Sequence, residues 1–221
     1  MITAMFIYSF TRALGTASLT TWMYQLIPSS IRGRYWATDQ ILSGVAVVGS
    51  LVFYSLLFTI LPIYWAFLVQ YSFAIIGAWL AYVQLNRLPD ADRPKVMSLQ
   101  KIVTETPRLV LQPSLFRTYL WMSVPLFAAI TPIAPFAAFY LKSTAGLNTA
   151  HIMMLTMLTY FGLIAANTYM RNHMDQRGAK PFFRISYVAH ALIALGWILF
   201  LQVEGRWLLM LPVIYFLQGV A

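Results

Sequence analysis

Long apolar runs separated by short polar turns set the pattern of this chain. Seven runs can be drawn, at roughly 1–27, 35–58, 63–85, 118–141, 149–170 and 182–202, with a last one following Glu204-Gly205-Arg206. About 20 apolar residues in succession cross the hydrocarbon of a bilayer as an α-helix. The pattern therefore predicts an all-α, polytopic bundle of transmembrane helices. Pro28 ends the first run, and the uncharged turn Leu61-Pro62-Ile63 separates the second from the third. The fourth carries Pro125, Pro132 and Pro135, which predicts a kinked helix of the kind that lines a cavity.

Between the third and fourth runs lies the longest polar stretch, 86–117, broken by Pro89, Pro94, Pro107 and Pro113. Within it, Ser98 can cap a short helix. Leu99, Ile102, Val103, Leu109 and Val110 would line one face, with Lys101, Glu105 and Arg108 toward water. Such a helix suits a membrane surface. An irregular linker fits the stretch equally well. The organisation read from the pattern is 1–85 as one helical portion, 86–117 as a linker, and 118–221 as a second helical portion. Asn148 or Thr149 is placed to cap the fifth run.

Composition supports the membrane reading. The chain is 60% hydrophobic and only 10% charged, with a mean hydropathy of +0.70, whereas soluble domains carry about 25% charged residues. The net charge of +9 does not point to nucleic acid, because the basic residues sit in the turns and form no stripe. Without cysteine there is no disulfide, thiolate ligand or cysteine nucleophile. No cleavable leader pattern opens the chain, and its first and last residues lie inside apolar runs. The expectation is a piece of a longer polytopic protein.

Charge then fixes orientation. Alternate turns carry Arg32 and Arg34; Arg87, Arg93, Lys95, Lys101, Arg108 and Arg117; and Arg171, Arg177, Lys180 and Arg184. The opposite turns carry only Lys142 and Arg206, so the first set is expected in the cytoplasm.

Few residues inside the runs can do chemistry. Arg12 is the clear intramembrane charge, about 24 Å from Pro28 along a helix. A buried arginine faces a cavity or a partner, where it can bind an anionic solute group. The competing reading is an arginine snorkelling to the outer interface. Gln25, Tyr160 and Asn167 are polar positions that can line a path or hydrogen-bond between helices. No carboxylate falls inside a run. The three histidines lack metal-ligand spacing, and no phosphate-cradling loop or nucleophile–base motif occurs. Neither catalytic residues, a metal nor a cofactor is expected.

Three stretches together resemble the major facilitator superfamily of secondary transporters. Trp22 to Pro28, followed by Arg32-Gly33-Arg34-Tyr35, resembles the end of the family's fourth helix and the loop before its fifth. Pro135-Phe136 through Lys142, then Gly146-Leu147-Asn148, resembles its seventh helix running into the eighth. Asp175-Gln176-Arg177-Gly178-Ala179-Lys180-Pro181 is similar to the loop 8–9 copy of the family's Asp-Arg-x-Gly-x-Arg/Lys signature. Three positions depart from the pattern. Arg171 stands where a glycine is usual, Gln176 replaces a basic residue, and Asp39 also stands where many relatives are basic.

The resemblance implies helices four to ten of twelve, with 86–117 as the linker between halves. It also implies a small-molecule solute and a coupling ion as partners, and a multi-pass location in the lipid bilayer of the bacterial inner membrane. In the family the signature aspartate docks on the facing helix end and helps close the cytoplasmic side. By that resemblance Arg32, Gly33, Arg34, Asp39, Asp175, Gly178 and Lys180 form a cytoplasmic gate, in which Asp175 meets Arg34 and the helix start near Tyr35. The alternative is that the arginines only set topology and touch lipid phosphates. For the chain as a whole, the leading expectation is a transporter working by alternating access. The alternative is a non-transporting, truncated product or helical scaffold.

Overall fold

The computed structural model describes residues 2–88, 99–202 and 209–221. Among them are nine α-helices, one 3₁₀ turn and no strand. The helices are α1 (Ile2–Leu26), α2 (Arg32–Ile60), α3 (Ile63–Leu85), α4 (Leu99–Leu111), α5 (Leu115–Ile130), α6 (Ile133–Ser143), α7 (Thr149–Arg177), α8 (Lys180–Gln202) and α9 (Met210–Val220); the 3₁₀ turn is Ser29–Ile31. The fold is an all-α helical bundle.

Five segments are long and apolar enough to cross a membrane: Ser29–Ile60, Ile63–Leu85, Arg117–Ser143, Thr149–Arg177 and Lys180–Gln202. They are consistent with a multi-pass membrane protein. Their large side chains face outward on several sides, as Ile75, Trp79, Leu80 and Tyr82 do in α3, a pattern that lipid accommodates and water does not.

The seven apolar runs thus become five spans, one more polar helix and one short one. Helix α1 has the length, 25 residues, but Arg12 and many hydroxyl side chains dilute its apolar character. Those hydroxyls turn inward on their own backbone. Thr16 donates to Arg12 O at 2.9 Å, Ser18 to Leu14 O at 2.8 Å and Thr20 to Thr16 O at 2.8 Å, which satisfies them without water. Helix α9 has 11 residues. The expected Ser98 cap and the Glu204-Gly205-Arg206 turn lie outside the described residues.

The chain divides into two compact units, Met1–Ala91 with Leu155–Ala221, and Asp92–Met154. In the second, residues Leu99–Leu111 of the linker stretch form a helix, α4. Lys101 pairs with Glu105 at 3.7 Å on its exposed side. The proline-rich span is broken outright: α5 ends at Ile130 and α6 starts at Ile133, because Pro132 offers no N–H to continue the ladder. Gly146, at φ 67°, closes α6 by letting Leu147 N–H reach Leu141 O at 2.9 Å. Asn148 caps the next helix, its Oδ1 accepting from His151 N–H at 2.9 Å.

In the first unit α8 and α9 run antiparallel. Gly196 lies against Ile214, Trp197 is 6.2 Å from Tyr215 between ring centres, and the Ser186 hydroxyl donates to Ala221 O at 2.5 Å. Phe200, Ile193 and Leu211 are buried there. Helix α9 also crosses α7 backbone to backbone: the space a side chain would need at Gly162 is filled by the Phe216 carbonyl, and that at Gly219 by the Thr159 carbonyl.

Candidate functional site: the α2–α7 helix ends

Pro28 stops α1, and the 3₁₀ turn Ser29–Ile31 carries the chain into α2. The first residue of α2 then reaches backward. Arg32 donates from Nε to Ile27 O at 3.0 Å and from Nη2 to Tyr24 O at 2.7 Å, with its guanidinium carbon 5.3 Å from the centre of the Tyr24 ring. The last carbonyls of a helix have no partner within it and carry partial negative charge. Arg32 satisfies two carbonyls at the end of α1 and ties it to the start of α2.

Gly33 comes next, and α7 presses on it. A Cβ built on Gly33 would sit 2.5 Å from Asp175 Oδ1 and 3.2 Å from Met174 Cγ. A side chain there would make that carboxylate move aside. Asp175 occupies the last turn of α7, where the helix's own dipole disfavours a negative charge. The N-terminal end of α2 offers the opposite, a positive end with unsatisfied N–H groups. The carboxylate therefore gains from leaving its own helix end for its neighbour's. Gly178 makes the geometry possible: at φ 71° it takes the left-handed conformation that ends α7, and its N–H reaches Met174 O at 2.9 Å.

A second contact lies further in. A Cβ on Gly44 would meet Ile164 Cγ1 at 2.9 Å and Leu163 Cδ2 at 3.1 Å. Gly44 is eleven residues beyond Gly33, and Ile164 eleven before Asp175. The two helices thus run antiparallel and meet at two points about 16 Å apart, at small residues on the α2 side.

Among the described residues Asp175 makes no ion pair with Arg34, whose exposed side chain has no polar partner. Asp39 is half-buried in the second turn of α2 and is likewise unpaired among the described residues; Lys180 begins α8, exposed. The contact thus joins Gly33 and Asp175, with Gly178 shaping it. The path candidates do not gather at one point. Arg12 is exposed on α1, Gln25 is exposed in its last turn, and Tyr160 is half-buried on α7. Asn167 spends its amide on its own helix, donating to Leu163 O at 2.9 Å.

Compared with family models, curated proteins and solved structures, the chain matches none. The α2–α7 contact therefore stands on its own geometry. As read from sequence, Gly44 and Arg171 had no place in the site: Gly44 lay inside a span, and Arg171 counted as a turn charge and a departure from the family pattern. Arg171 lies one turn before Asp175, and its Nε is buried with no hydrogen-bond partner among the described residues. The eleven-residue spacing between Gly33 and Gly44 was the signal for the first; an arginine inside an apolar seam was the signal for the second.

Proposed function

We propose that this chain is part of a secondary transporter in a bacterial inner membrane, moving a small solute by alternating access without chemistry of its own. The observation that carries the reading is the Asp175 carboxylate seated on Gly33 at the start of α2. A charge held by a helix end is a contact that can form and part without unfolding either helix, as a gate between two moving bundles requires. The resemblance of Asp175–Pro181 to the transporter signature, and the five membrane-length helices, point the same way. In this reading the α2–α7 contact is the closed state of the cytoplasmic side.

The test uses the absence of cysteine in the chain. Spin labels placed through Ser30→Cys and Gln176→Cys, both exposed positions, report the separation of the two helix ends in lipid nanodiscs by pulsed electron paramagnetic resonance. Two distance populations whose ratio responds to pH or to candidate solutes are expected. One short, invariant population under every condition would rule out a gate and favour a static scaffold.

A further inference from the structure

Helix α7 carries two opposite charges on the stripe that faces α2. Arg171 stands seven residues after Ile164 and four before Asp175, a spacing that keeps all three on one side of an α-helix. The outer two are placed by contact, Ile164 against Gly44 and Asp175 against Gly33. Both contacts obey one antiparallel register, which sets Arg171 level with Ala37, a small residue that is 2% exposed. Arg171 is half-buried there, between the two points at which the helices meet.

The two charges fare differently. Asp175 benefits from the positive end of α2. A guanidinium gains nothing from the same end, whose free groups are donors like its own. Arg171 Nε is buried without a hydrogen-bond partner among the described residues, a costly state for part of a cation. Neither nearby carboxylate relieves it. Asp175 is turned onto Gly33 and forms no ion pair among the described residues. Asp39 lies six residues beyond Gly33, about 120° round α2 from the contact. Separation of the helix ends would return Arg171 to water and end that cost.

We propose that Arg171 opposes Asp175: the carboxylate favours the closed contact of α2 with α7, and the arginine one turn away destabilises it, so that the closed and parted forms lie near balance. Such a balance is what a gate requires. The smaller the gap between two states, the less differential affinity a solute or ion needs in order to shift them. The inference rests on the gate reading of the α2–α7 contact. Membrane topology does not account for the placement, because a basic residue in a turn need not stand on the contact stripe. Arg177, six residues after Arg171, is exposed and turned about 120° away from it.

Spin labels at positions 30 and 176 in lipid nanodiscs read that balance directly. Arg171→Met keeps an unbranched apolar stem and removes the charge and its donors. It is expected to raise the ratio of short to long distances by about fivefold or more, the effect of relieving one unsatisfied buried donor, and to raise the thermal midpoint. Arg171→Lys retains the charge and should stay closer to the native protein. Arg177→Gln removes a charge from the same helix end, off the stripe, and should leave the ratio unchanged. With two populations in the native protein, an unchanged or lowered ratio in Arg171→Met overturns the proposal and leaves the gate standing. A shift as large in Arg177→Gln as in Arg171→Met would assign the effect to overall positive charge and overturn it equally. A single invariant population in the native protein would remove the gate, and this inference with it.

Discussion

The carboxylate of Asp175, at the end of one helix, occupies the space above Gly33 at the start of another, so closely that a Cβ there would lie 2.5 Å from its oxygen. Among the described residues Asp175 forms neither an ion pair with Arg34 nor a hydrogen bond to an N–H of α2, so what favours its place there is the positive end of α2 nearby. Asp175→Asn keeps the shape and removes the charge. It is expected to cost about 0.3–1 kcal/mol of the contact, a change of roughly two- to fivefold in the ratio of short to long distances between labels at positions 30 and 176.

Exchanging charges gives a sharper discrimination. With Arg34→Asp and Asp175→Arg together, a direct ion pair would be restored in mirror image. A helix-end contact would not, since an arginine is repelled by the positive end of α2. The double variant is expected to show no rescue of the short-distance population. Full rescue would mean that Arg34, not the helix end, holds Asp175.

Gly178 shapes the approach without touching the partner. Its φ of 71° costs an alanine about 1–2 kcal/mol, whereas asparagine tolerates the region better. Gly178→Ala should lower the thermal midpoint and loosen the last turn of α7, with Gly178→Asn between it and the native protein. Hydrogen exchange of the amides at 174–178 reads the local effect. Equal protection in all three proteins would show that the turn does not set the position of Asp175.

Arg32 makes a separable prediction. Its two hydrogen bonds to Ile27 O and Tyr24 O need a forked donor, which lysine lacks. Arg32→Lys and Arg32→Ala should both destabilise the end of α1, the latter by about 1–2 kcal/mol given partial exposure. Faster exchange confined to residues 22–28, with the α2–α7 distance unchanged, is the expected signature. A shift in that distance instead would mean that Arg32 belongs to the contact.

What could be read beforehand was what is decided locally. Pro28 and Pro62 ended helices as expected and Asn148 capped one, while the fourth run, expected to kink, is interrupted at Pro132 with Pro125 and Pro135 lying inside its two helices. Each depends on a few neighbouring residues. The neighbours of Gly44 and the burial of Arg171 depend instead on which face of α7 meets α2, more than a hundred residues away, and a run that is apolar all round does not mark its own contact face. Arg32 was hidden for another reason. Its place in a basic turn was already explained by membrane topology, so nothing signalled that its guanidinium would reach back to α1.

The crossing of α7 and α9 shows how much such a face can matter. A Cβ at Gly162 would collide with the Phe216 carbonyl, and one at Gly219 with the Thr159 carbonyl. Both obstacles are backbone, which cannot swing aside as a side-chain tip can, so relief requires the helices to part. Gly162→Ala and Gly219→Ala should each destabilise by about 1–3 kcal/mol. Gly49→Ala is the matched contrast, because nothing lies within 4 Å of a Cβ at Gly49. With no clash to oppose the better helix propensity of alanine, it should be neutral or stabilising by up to about 1 kcal/mol. Thermal unfolding of the three variants in one detergent measures the difference. Loss of stability in Gly49→Ala equal to that in Gly162→Ala would place the cost in the helix itself and remove the crossing as its cause.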